Sequence, residues 1–169
     1  MQRRSDSVTR FADLLRALAS ADVEFILIGG VAAAAHGSAR STQDLDVVYA
    51  RGNENLARLV EALRPHHPYL RGAPPGLPFR LDVETLEAGL NFTLTTDLGW
   101  IDLLGEITGG GGYQDLVSHS IAIEVFGLHC RVLDLDALIR AKRAAGRPKD
   151  FEVLAELEAL RERPRKPRA

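Results

Sequence analysis

Asp44 and Asp46 stand one residue apart in the run Asp44-Leu45-Asp46-Val47-Val48-Tyr49, fourteen residues after the glycine pair Gly29-Gly30. Read as a strand, the run sends both carboxylates to one face, with Cα atoms about 7 Å apart. Hard divalent cations take oxygen ligands, so such a pair suits Mg²⁺ or Mn²⁺. The glycines follow the apolar run Phe25-Ile26-Leu27-Ile28 and open an alanine-rich segment that ends at His36. A glycine turn lets backbone approach phosphate oxygens, and the helix start behind it favours anions. A phosphate cradle beside a metal-binding pair is what phosphoryl or nucleotidyl transfer requires. The alternative is an exposed strand edge with two solvated acids.

Other residues can complete such a site. Asp102 lies between Ile101 and Leu103, and a lone acid in an apolar strand is costly to bury without a partner. As a third carboxylate it would hold a second ion and act as general base for an acceptor hydroxyl. Glu106 and Asp97 compete for that role, and a strand residue facing water is the plain alternative. Arg40 and Thr42 precede the acid pair; an arginine there either grips phosphate with two parallel hydrogen bonds or forms an ion pair that holds the loop. Lys142 falls near the apolar stripe of a helix, where a lysine needs a phosphate or a carboxylate partner. Arg147, Lys149 and Asp150 read as a local salt-bridged cap. His36 reads as a structural group bonding the end of the short helix, and Thr95 and Trp100 as strand packing.

The elements that must position these residues follow from periodicity. Phe11, Leu14, Leu15 and Leu18 predict a helix over 6–20, capped by Ser5 or Ser7. Strands are predicted at 25–28 and 44–49, with a small helix over 30–36 between them. A helix over 53–64, capped by Asn53, ends at Pro65. Residues 65–80 hold five prolines and two glycines and read as a surface loop. Asp82 caps a short turn before Gly89. Strands follow at 91–96, 100–104, 121–126 and 128–133. The four glycines Gly109 to Gly112 read as a mobile loop or a permissive turn. Asp134 caps a helix that stops at Gly146, and Pro148 opens a last one that Pro164 closes. This order implies an α/β sandwich, a mixed β-sheet flanked by helices. Residues 1–163 read as a single domain and 164–169 as a basic tail.

Composition narrows the field. The chain has 169 residues, 46% hydrophobic and 26% charged, enough for one domain with a substantial core. A net charge of −2 gives no global basic field to recruit nucleic acid. The charge is uneven: Arg161 to Arg168 carries five cations and one anion, a solvated tail or an RNA contact. Cys130 is the single cysteine, so no internal disulfide forms; in its apolar segment it reads as a small buried hydrophobe. No stretch is long enough to span a bilayer and no basic-then-apolar leader is evident, which predicts a cytoplasmic protein without a membrane partner.

Taken together, these motifs resemble the nucleotidyltransferase fold of the DNA polymerase β superfamily, whose members carry a glycine pair at a strand-to-helix turn, Asp-x-Asp on the next strand and a third acid later. Within that superfamily the chain is most similar to small bacterial proteins related to AbiE-type abortive-infection toxins. Gly29, Gly30, Ala32, His36, Gly37, Arg40, Thr42, Asp44, Leu45 and Asp46 match their first block, and Lys142 to Asp150 resembles their lysine-rich second block. The likeness spans about residues 24–158. It implies metal-dependent transfer of an NMP from an NTP to a hydroxyl on tRNA or protein, and a toxin paired with an antitoxin. By that resemblance Asp44, Asp46 and Asp102 bind the metal and carry the catalysis, while Gly29, Gly30, Arg40, Thr42 and Lys142 bind nucleotide phosphate. Many members have Gly-Ser at the turn; Gly30 stands in the serine's place. Larger relatives also carry an extra helical domain for the acceptor. These departures favour a second reading, a degenerate nucleotide- or partner-binding module of the same fold. A third is an unrelated α/β domain whose glycine pair is a generic phosphate turn.

Overall fold

The computed structural model describes residues 8–163. Ser5, Ser7, Pro164 and the basic tail 164–169 lie outside them. Helix α1 (Phe11–Ser20) begins later than periodicity predicts, because the Arg10 N–H donates to the Leu98 carbonyl (2.8 Å) and ties the preceding chain to the sheet. Among the described residues no side chain caps it; Asp13, in its first turn, pairs with Arg10 and Arg16. Leu14, Leu15 and Leu18 are fully buried.

Strand β1 (Phe25–Ile28) is buried along its whole length, as a four-residue apolar run in a central position requires. Helix α2 (Gly29–Ala35) follows without a linker, then β2 (Asp44–Tyr49). In α3 (Asn53–Leu63) the cap residue is Gly52, one position before the expected Asn53. Asn55, nearly fully buried, accepts from the Glu24 N–H (2.7 Å) and donates to the carbonyls of Ala50 and Glu24, fastening α3 to the ends of β1 and β2.

The proline-rich stretch is not a plain surface loop. It contains β3 (Tyr69–Leu70), which pairs antiparallel with β4 (Asn91–Thr96). Between them Asp82 caps α4 (Val83–Ala88), accepting from the Thr85 N–H at 2.8 Å. β5 (Gly99–Leu104) is followed by a small hairpin, β6 (Glu106–Ile107) with β7 (Gly111–Gly112). The four-glycine run therefore forms a packed turn instead of an open lid. At Gly109, φ is +77° and an added Cβ would sit 2.4 Å from that of Ala144. Then come α5 (Tyr113–Leu116), β8 (Ser120–Val125) and β9 (Leu128–Leu133). Helix α6 (Leu135–Ala145) is capped by Asp134 and ended by left-handed Gly146, and α7 (Pro148–Glu162) starts at its proline.

Seven strands form one mixed sheet in the order β3-β4-β5-β2-β1-β9-β8. β1 runs antiparallel to β2 and parallel to β9; β2 and β5 are parallel neighbours. Helices flank the sheet: α1 and α4 pack on α3, while α2 and α7 pack on α6. The alternation of β2 and β5 sorts their side chains. Leu45, Val47, Ile101 and Leu103 enter the core, which leaves Asp44, Asp46 and Asp102 on the opposite face.

Candidate functional site

The β2–β5 register builds the acidic cluster. Asp46 lies directly opposite Asp102, and Asp44 opposite Trp100. Each of Asp44, Asp46 and Asp102 offers a carboxylate oxygen, and the three oxygens lie within 4.8 Å of one another. Gly29, at the junction of β1 and α2, closes the cluster from the other side. Its φ is +65°, and an added Cβ would stand 2.1 Å from Asp46 Oδ2. Glycine is thus required there twice, by backbone conformation and by the carboxylate against it. A Cβ on Gly30 would meet Thr42 at 2.6 Å. Thr42 donates to the Asp44 carbonyl (3.2 Å) and so props the entry to β2.

This crowding governs protonation. Burial, then the neighbouring Asp44, then a hydrogen bond to Asp102 push the Asp46 carboxyl up to about 8. Burial also raises Asp102 above the usual carboxylate range. The inner carboxyl therefore holds a proton at neutral pH, shared toward Asp102. Three oxygen donors around a displaceable proton are a set that a hard divalent cation fits.

Sequence reasoning missed Arg71, which follows β3. Its Nη2 donates to Asp102 Oδ1 (2.9 Å) and to the Leu94 carbonyl (2.9 Å), and its Nη1 lies 3.7 Å from Asp44 Oδ2. The guanidinium lies over the Trp100 ring, 4.6 Å from its centroid. Its Nε is buried without a hydrogen-bond partner among the described residues. Trp100 therefore serves as the platform for this cation as well as strand packing. The only sequence signal was a short apolar pair, Tyr69-Leu70, inside a breaker-rich stretch.

The acids floor a cleft of about 1130 Å³ whose walls include Gly29, Gly30, Arg40, Thr42, Lys142 and Arg147. Three of its cations, Arg40, Lys142 and Arg147, are engaged in ion pairs. Arg40 Nε donates to Glu156 Oε2 (2.9 Å) and the guanidinium also approaches Glu152, so this residue pins the loop before β2 to α7. Lys142 Nζ lies 3.3 Å from Asp150 Oδ1. Asp150 is buried, and hydrogen bonds from Arg147, with Lys142 adding, hold its carboxyl below the usual range. Lys142 thus has the carboxylate partner that its position demanded. His36 donates through Nε2 to the Leu133 carbonyl (2.8 Å), a structural bond as expected. Asp97 pairs with exposed His67, and it does not join the triad; Glu106 lines the cleft outside the triad. Cys130 is buried, and burial raises its thiol.

A solved structure from Thermotoga maritima, of a provisionally named nucleotidyltransferase, matches 95% of this chain and 100% of its own with a TM-score of 0.55, at 17% sequence identity. The fold is nucleotidyltransferase-like. No protein-family model and no curated protein matches the sequence. At such low identity the structural likeness speaks to the fold. Among the described residues, no helix is long and apolar enough to cross a membrane.

Proposed function

We propose that this chain is a metal-dependent nucleotidyltransferase, which moves a nucleoside monophosphate from an NTP to an acceptor hydroxyl. The observation that carries this reading is the meeting of three carboxylates with the Gly29 turn on the floor of one large cleft. Asp44, Asp46 and Asp102 would hold Mg²⁺ or Mn²⁺. Bound there, such an ion would supply Lewis-acid stabilisation of the charge that develops on the phosphates during transfer.

The chain's own groups do the rest. Asp102, its carboxyl raised by burial, is suited to accept the acceptor hydroxyl's proton. Gly29 and Gly30 line the cleft, and their lack of side chains lets Asp46 and Thr42 close in beside the turn where phosphate would bind. Lys142 and Arg40 stand on the cleft wall in ion pairs with Asp150 and Glu156. Arg40 can exchange Glu156 for a phosphate oxygen and stay paired, and the buried Asp150 keeps Arg147 when Lys142 turns to phosphate. The sequence resemblance extends the reading to an AbiE-like toxin, with tRNA or a protein as acceptor and an antitoxin as partner.

One observation favours a second reading, a binding module without transfer: Arg40, Lys142 and Arg71 all have carboxylate partners inside the fold. Incubation with each α-labelled NTP, Mg²⁺, and either bulk tRNA or cell lysate separates the two. Label transfer that vanishes in the Asp44→Asn/Asp46→Asn variant supports the enzyme. NTP bound with no transfer under any condition supports the module.

A further inference from the structure

Arg71 reaches the acidic cluster from the far edge of the sheet, yet its guanidinium is fixed from several directions. The Arg71 N–H donates to the Thr93 carbonyl at 3.0 Å, which anchors the backbone beside β4. The side chain then runs to Asp102 Oδ1 and the Leu94 carbonyl, with Trp100 beneath the guanidinium and Asp44 Oδ2 at 3.7 Å. Only 19% of the side chain is exposed. A planar cation stacked on an aromatic face and bonded to a carboxylate is held in place, not waiting in solvent.

We infer that Arg71 occupies the position of a second cation, so that the cluster takes a single divalent ion. This rests on the metal-binding reading of the same three acids. In two-metal sites the ions sit about 3.5–4 Å apart and are bridged by shared carboxylates. Here the guanidinium already bridges Asp102 and Asp44 on one side of the cluster. Once a divalent ion displaces the Asp46 proton, three carboxylates against one guanidinium leave two negative charges, which that one ion neutralises. A second ion would have to displace Arg71 from Asp102, Leu94 and Trp100 together, or stand against its positive charge. Arg71 is thus a positioning residue: it holds Asp102 and sets how many ions the acids accept.

Counting bound Mn²⁺ by the electron paramagnetic resonance signal of the free ion tests this, with Mn²⁺ as the only added ligand. The wild-type chain should bind one ion. Arg71→Met should bind two, with the first held at least about tenfold tighter because a nearby like charge is gone. Arg71→Lys, which keeps the charge, should return the count to one. Should Arg71→Met not fold, Arg71→Gln, which can still donate to Asp102 or Leu94, takes its place with the same expectation. Two ions on the wild type, or one ion unchanged in affinity on the charge-removing variant, would overturn the inference while leaving the metal site standing. No ion on the wild type would overturn both.

Discussion

The floor and the rim of the cleft are built on different principles. On the floor, Asp44, Asp46 and Asp102 owe their positions to strand register and to Gly29, which has no room for any other side chain. On the rim, Arg40, Lys142 and Arg147 owe theirs to ion pairs with carboxylates on α7, and those pairs are partly solvated. Backbone hydrogen bonds and packing make the floor rigid. Arg40 can trade Glu156 for another anion at little cost, since exposed ion pairs are worth only about 0–1 kcal/mol each, whereas Lys142 and Arg147 close on the buried Asp150. A nucleotide site needs both: fixed ligands where charge develops, and exchangeable cations where the substrate enters.

The sharpest way to break this contrast is to neutralise the floor. Asp44→Asn with Asp46→Asn removes two of the three carboxylates and should abolish divalent-ion binding in calorimetry. Transfer should fall by on the order of a thousandfold or more. The fold should persist by circular dichroism, because mutual repulsion is relieved. Next comes the turn. Gly29→Ala places a Cβ against Asp46 at a left-handed backbone angle, so urea unfolding should show a loss of about 1–3 kcal/mol, with weakened ion binding. An unaltered Mn²⁺ affinity in that variant would mean the turn does not shape the cluster.

The protonation of Asp46 sharpens the contrast further. Its carboxyl is raised from 3.8 to about 8, so the folded state binds this proton more tightly than the unfolded chain does. In EDTA, this group's contribution to stability is therefore full below about pH 4 and is lost as the pH rises toward 8. Added Mn²⁺ competes with the same proton, so its apparent affinity should climb across that window. Thermal melting from pH 5 to 9, with and without Mn²⁺, reads both trends, and Asp46→Asn should flatten them. The rim gives the smallest effect. Arg40→Ala should cost no more than about 1 kcal/mol in stability, since the guanidinium is 45% exposed. If Arg40 exchanges Glu156 for phosphate, the KM for NTP should rise with kcat little changed.

The same division governed what could be read in advance. The β1–α2–β2 unit was legible because its glycines, acids and apolar strands fall within 25 residues, Phe25 to Tyr49. Asp102 was legible through strand alternation, although only the β2–β5 register brings it opposite Asp46. Arg71 was not, because the strand it follows is two residues long and set among prolines and glycines, too short for any period to register. The partners of Arg40 and Lys142 differed in the same way. Lys142 and Asp150 are eight residues apart, whereas Arg40 and Glu156 are separated by 116, a distance no local pattern spans. The glycine run at 109–112 misled for the opposite reason: composition signalled freedom, while the contact with Ala144 uses glycine for its lack of bulk.

Anomalous diffraction from crystals soaked in Mn²⁺ tests the central claim most directly. The expected result is a peak bounded by Asp44, Asp46 and Asp102, at about 2.0–2.3 Å from carboxylate oxygens. A peak elsewhere in the cleft, or none at saturating Mn²⁺ above pH 8, would contradict it.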